Sequence, residues 1–376
     1  MCRASGPDTT LTPPGDPWQA SRLGTAEIHI SFTNVRRNFV SIQSEVLHRQ
    51  EQDFGLPANR STLTVREFLA AAVRLAGVSS NLIENSDCAS DTTRLQLGSA
   101  TIEINFGPGR LDLPRESIIA WISKAAHAVA NYYGVFPVPF TRVRVNPSER
   151  ESGAFAGETW GSDPPFTRIF VGRYTTSQQL HEDWLMTHEF VHTAFPDVAD
   201  EHHWIEEGIA TYVEPIARVQ IGDLTPERIW TDMLRGMPKG EPQPFDKGLD
   251  HTHTWGRTYW GGALFCLVAD VRIRQATNNR KGLQDALRGI RNAGGTIDKH
   301  WPVERAFEIG DKASQTNVLT TLYSEMKDKP VYVDLNTLWR ELGVNSSNNV
   351  VTLSNTAPLA HIRRSITSAK SIGPAR

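Results

Sequence analysis

The segment Met186-Thr187-His188-Glu189-Phe190-Val191-His192 sets two histidines four residues apart, with a glutamate directly after the first. On an α-helix a four-residue step is about 40° of rotation and about one turn of rise, so both imidazoles face a common point. This is the HExxH spacing of a zinc site. His188 and His192 ligate the metal, and Glu189 takes a proton from a water that the metal polarises. Such a site needs a third protein ligand. The stretch Trp204-Ile205-Glu206-Glu207-Gly208-Ile209-Ala210-Thr211-Tyr212-Val213-Glu214, which reads as a second helix, offers several carboxylates.

A third histidine in the pattern HExxHxxGxxH would require Gly and His where this chain has Phe195 and Val198, so that class is excluded. The remaining candidates are Glu206, Glu207, and the pair His202 and His203. On a helix through 204–214, Glu207 and Glu214 lie seven residues apart and nearly eclipse one another, with Ala210 and Thr211 between them on the same face. Small residues flanked by two carboxylates suit close approach to a metal-bearing helix. Glu206 lies about 100° away, toward the apolar stripe of Ile205, Ile209, Val213 and Ile216. The spacing therefore favours Glu207 as third ligand to one Zn2+, with Glu214 as a carboxylate that steadies a ligand imidazole.

The elements that must position these residues can be read on either side. Ile102, Ile104 and Phe106 alternate as a strand. Pro114 opens a helix carrying Ile118, Ile119, Ile122, Ala126, Val129 and Tyr133, closed by Gly134. Strand-like runs follow at 141–146, 153–160 and 167–172, and a helix from about 177 carries the two histidines. Helical patterns then cover 202–218, 256–276, 281–292, 317–327 and 334–342. The expected fold class is α+β: a mixed β-sheet layer delivering the zinc helix, followed by an all-helical C-terminal half, with the metal at the seam. Residues 1–24, rich in Pro, Gly, Ser and Thr, are expected to be disordered. Residues 25–96 form an N-terminal accessory region, with strand alternation at Ile28 and Ile30 and a helix over 61–77 capped by Thr64 and Glu67. Residues 97–200 make the β-rich subdomain and 201–376 the helical one.

The combination of His188-Glu189-x-x-His192 with the 204–214 helix resembles the gluzincin metallopeptidases, and within them the aminopeptidase N and glycyl aminopeptidase families. The resemblance covers about 97 to 345. It implies a thermolysin-like catalytic core and maps the third zinc ligand to Glu207. The stretch Thr258-Tyr259-Trp260-Gly261-Gly262-Ala263-Leu264-Phe265 is similar to the glycyl aminopeptidase pattern, which implies that Tyr259 stabilises the oxyanion of the reacting carbonyl. In the aminopeptidase N family a Gly-x-Met-Glu-Asn strand holds the substrate's amino group. Here Gly153-Ala154-Phe155-Ala156-Gly157-Glu158-Thr159-Trp160 lacks the Met and Asn, and Glu158 is the corresponding anchor. The expected activity is zinc-dependent peptide hydrolysis, as an aminopeptidase or an endopeptidase. A zinc hydrolase of a non-peptide bond and a catalytically idle zinc-binding scaffold are the alternatives.

The 376-residue composition fits this reading and excludes others. Hydrophobic residues make up 39% and charged residues 22%, ordinary for a globular protein. A formal net charge of −3 gives no basis for nucleic-acid binding, and no apolar run reaches the length of a membrane helix. Cys2, Cys88 and Cys266 are too scattered for a disulfide framework, and the start lacks the layout of a signal peptide, so a reduced, cytoplasmic setting is expected. The expected partner is a peptide or protein substrate.

Overall fold

The structure is a computed structural model that describes residues 92–149, 151–347 and 350–368. The strand at Ile28 and Ile30 and the helix over 61–77 lie outside the described residues. Five strands form one mixed sheet: β1 (Thr92–Leu97), β2 (Ala100–Phe106), β3 (Phe140–Ser148), β4 (Ala154–Trp160) and β5 (Phe166–Gly172), in the order β1-β2-β3-β5-β4. The central strands β2, β3 and β5 run parallel, while β1 and β4 pair antiparallel at the two edges. The sheet thus begins upstream of residue 97. Parallel neighbours require a crossover, and helix α1 (Arg115–Tyr133) supplies it between β2 and β3. As the pattern predicts, α1 is preceded by Pro114 and ends at Gly134 in the left-handed region.

Side-chain alternation gives the sheet two unlike faces. Ile102, Ile104, Val143, Val145, Ile169 and Val171 are fully buried on one face, in the same core as α1 and the zinc-motif helix. The other face carries ion pairs, with Glu103 between Arg94 and Arg142 and Glu158 against Arg168.

The single helix expected from 177 is two. Helix α2 (Ser177–Glu182) stops and α3 (Leu185–His192) starts anew. Asp183 causes the break: its carboxylate accepts the Met186 backbone N–H at 3.1 Å and the Trp121 indole N–H at 3.1 Å, starting α3 in a new direction. Helix α4 (His203–Gln220) follows, then α5 (Pro226–Gly236), a π-helical turn (Gly256–Gly261) that continues into α6 (Gly262–Ala276), α7 (Leu283–Asn292), α8 (Val303–Ser314), α9 (Val318–Met326) and α10 (Leu335–Leu342). The C-terminal half is not all-helical. A hairpin of β6 (Val344–Ser347) and β7 (Val350–Leu353) precedes α11 (Ala360–Thr367), and its two four-residue strands are too short for alternation to announce them.

Helix α4 is the hub, in contact with α1, α3, α6 and the π-helical turn. Where α4 crosses α6, Gly208 meets Gly262 backbone to backbone, so a Cβ on Gly208 would land on the Gly262 main chain. No side-chain rotation relieves that clash. Gly208→Ala is therefore expected to destabilise the protein by about 1–3 kcal/mol, the usual cost of overpacking. Thermal unfolding checks this, and a wild-type melting temperature would show that the two helices are not in backbone contact.

Candidate metal centre

Helix α3 buries all but one of its residues, and that burial aims the motif. His188 and Glu189 are each 2% exposed, and the His192 side chain is 13% exposed. Helix α4 brings Glu207, also 2% exposed, across the open side of the two imidazoles. Glu207 Oε2 lies 3.1 Å from His188 Nε2 and 3.7 Å from His192 Nε2. One donor atom from each of the three residues falls within 4.8 Å of the other two. Two imidazole nitrogens and one carboxylate oxygen converging on a point are the donor set of a catalytic zinc site, which leaves one coordination position for water. The residues present fit the ion.

The local electrostatics follow from this enclosure. Burial alone would raise the Glu207 carboxyl, but three surrounding imidazoles, His192, His188 and His203, hold it well below the usual carboxylate range. Burial pulls the His192 imidazole down to about 4. His188 feels the same burial, yet its contact with Glu207 outweighs it and the ring is shifted upward.

Glu189 leans from α3 toward the edge strand β4. The Thr159 hydroxyl donates to Glu189 Oε2 at 2.8 Å and lies 3.1 Å from the Glu189 backbone carbonyl. Two residues earlier on the same strand face, Gly157 lets the carboxylate pass: a Cβ there would sit 2.8 Å from Glu189 Cγ. Burial, with the charges of Glu207 and Glu158 adding to it, pushes the Glu189 carboxyl up to about 7, where it can accept and return a proton near neutrality.

Tyr259 reaches the cluster from the π-helical turn. Its ring stacks on His188 with centroids 6.2 Å apart and planes 21° apart, and on Trp255 at 6.1 Å and 28°. Burial and the carboxylates of Glu207 and Glu189 raise the phenol's pKa well above its ordinary value, so the hydroxyl keeps its proton and serves as a donor. The turn is anchored by Arg257, 1% exposed, whose guanidinium pairs with the buried Asp246 at 2.7 Å.

The other sequence candidates sort differently. Glu206 faces away from the three donors and accepts from the Val198 backbone N–H at 3.2 Å and from His203 Nδ1 at 2.9 Å. Glu214 lies on the buried face of α4 and its charge reaches His188, but its hydrogen bond goes to Arg218 at 3.0 Å. Glu158 stands between Gly157 and Thr159 on β4, and alternation turns it to the opposite sheet face, where Arg168 Nη2 holds it at 3.0 Å. The structure brings His188, Glu189, His192, Glu207 and Tyr259 together and leaves Glu158 on the far side of the sheet. Thr159 was missed, and His203 was weighed only as a candidate third ligand, not as a partner of Glu207. Nothing in the sequence says which edge strand abuts α3, whereas the four-residue step from His203 to Glu207 was open to reading.

No family model and no curated protein matches this sequence. Among solved structures, an aminopeptidase N family protein from Idiomarina loihiensis is similar over 71% of this chain and 52% of its own, with 13% identity and a TM-score of 0.50. A single-residue variant of an M1 zinc metallopeptidase from Deinococcus radiodurans matches 64% of this chain and 52% of its own, with 14% identity and a TM-score of 0.41. Aminopeptidase A from Legionella pneumophila matches 65% of this chain and 28% of its own, at 15% identity and a TM-score of 0.42. The chain spans about half the length of the first two. The likeness to the Idiomarina protein is one of fold alone, and in this chain that fold is a mixed α/β arrangement of a five-stranded mixed sheet and many helices.

Proposed function

We propose that this chain is a zinc-dependent hydrolase of peptide bonds, built on a thermolysin-like core. The observation that carries the reading is the convergence of His188, His192 and Glu207 on one point, with Glu189 fixed beside it by Thr159. Among the described strands β4 has no neighbour on its outer side, and it runs directly past Glu189. An extended peptide can pair with such an edge, which lays a backbone carbonyl along the site. That geometry favours a peptide over a small non-peptide substrate.

A zinc ion held by His188, His192 and Glu207 would act as a Lewis acid toward a water and the scissile carbonyl. Glu189 accepts a proton from the attacking water and passes it to the leaving amine. Thr159 fixes one oxygen of that carboxylate, so that the other is the one presented to the reaction. The Tyr259 hydroxyl donates to the carbonyl oxygen as its negative charge develops. Recognition of a free amino terminus is not assigned to Glu158, whose carboxylate is engaged by Arg168. The reading therefore extends to peptides with blocked ends.

The metal arm of the reading is checked by elemental analysis of the purified protein. One zinc per chain is expected, lost on His188→Ala or Glu207→Ala and retained in Glu206→Ala. Glu189→Gln should retain zinc while peptide hydrolysis falls by about 100-fold or more. Full turnover in that variant with the metal present would move the base elsewhere.

Tyr259 is separated from the base by its kinetic signature. A donor that engages only as charge develops acts on kcat, so Tyr259→Phe is expected to lower kcat by about 100- to 1,000-fold with KM nearly unchanged. Steady-state kinetics on a cleaved peptide decide it. A change confined to KM would make Tyr259 a binding residue and leave the oxyanion without this donor.

A further inference from the structure

Glu207 divides its two carboxylate oxygens between different partners. Oε2 faces His188 and His192, while Oε1 lies 3.3 Å from His203 Nε2. His203 stands four residues earlier on the same helix, and its second ring nitrogen, Nδ1, is 2.9 Å from Glu206 Oε2. The other oxygen of Glu206 accepts the Val198 backbone N–H at 3.2 Å, in the connection between α3 and α4. A relay therefore runs from the main chain after the zinc-motif helix, through Glu206 and His203, to the back of the Glu207 carboxylate.

We propose that His203 is a positioning residue of the metal centre: it holds Glu207 Oε1 and thereby presents Oε2, in one rotamer, to the point that His188 and His192 share. The inference rests on the metal-centre reading above and deepens it. A free glutamate side chain has three rotatable bonds, and fixing them when the metal arrives costs affinity. A ligand already fixed by a second hydrogen bond avoids that loss, which is why outer partners of metal ligands typically contribute 10- to 100-fold in metal affinity. A purely structural role explains the arrangement less well. The His203 side chain is 36% exposed, so it has little packing to contribute, and both of its nitrogens are spent on carboxylates. Glu206, which the spacing set aside as a ligand, finds its place here as the residue that orients His203.

The test is a zinc affinity, read by titrating the metal-stripped full chain against a chelator of known affinity. His203→Ala should bind zinc about 10- to 100-fold more weakly than wild type while the metal-free protein melts at the same temperature. His203→Gln should recover part of the loss, since its amide can still donate to Oε1. Wild-type affinity in His203→Ala would overturn the proposal. So would equal losses in both variants accompanied by a lowered metal-free melting temperature, which is the pattern of a structural residue. A wild type that binds no zinc would remove the metal centre and this inference together. If the wild type binds zinc but cleaves no peptide, only the hydrolase reading falls, and the weakened binding of His203→Ala still supports the positioning role.

Discussion

A carboxylate withdrawn from water must be met by charge or by hydrogen-bond donors, and Glu207 is the carboxylate on which this molecule turns. At 2% exposure it survives as an anion because the Tyr259 hydroxyl hydrogen-bonds to it and three imidazoles surround it. Two come from α3 and one from its own helix. Satisfying it fixes how α3 and α4 approach one another, and through α4 it fixes the π-helical turn and α6. The site is therefore a packing solution as well as a set of side chains. The helices that bury the core are the ones that must converge to compensate this charge.

The same logic recurs around it. Glu189, Glu214 and Asp183 are carboxyls pushed up to about 7, 7 and 6 by burial. Each has a specific partner: the Thr159 hydroxyl, the Arg218 guanidinium, and the start of α3 with the Trp121 indole. Partners of three kinds produce three roles. A neutral hydroxyl leaves Glu189 free to exchange a proton, an arginine ties Glu214 into the interior, and backbone donors make Asp183 a helix stop. Under the proposed function, similar burial yields one reactive group and two structural ones.

The approach of Glu207 to the two histidines was legible because helical periodicity is local. Glu207 and Glu206 differ by about 100° of rotation, and that angle alone separates the donor facing the cluster from the one facing Val198. The strands from β2 to β5 and the bounds of α1 were legible for the same reason. What lay beyond reach depended on a partner distant in sequence. The break at Asp183 needs Trp121, the side of β4 on which Glu158 falls needs the register with β5, and the π-helical turn needs the pairing of Arg257 with Asp246. Glu158 illustrates the limit: residue type and neighbourhood suggested an anchor, and a single step of strand alternation turned it to Arg168.

The π-helical turn carries one consequence of its own. Such a turn holds one residue more than an α-turn, so it amounts to an insertion in the opening turn of the helix that continues as α6. Downstream of it, α6 keeps its crossing with α4 at Gly262; within the turn, the side chains are out of phase with an α-helical start by up to about 100°. Tyr259 faces His188 by virtue of that offset. The phenol's presence in the cleft is thus a matter of helical phase, separable from the packing that stabilises the fold. Loss of a single codon between Tyr259 and Gly262 would leave the helix crossing in place and swing the hydroxyl out of the site.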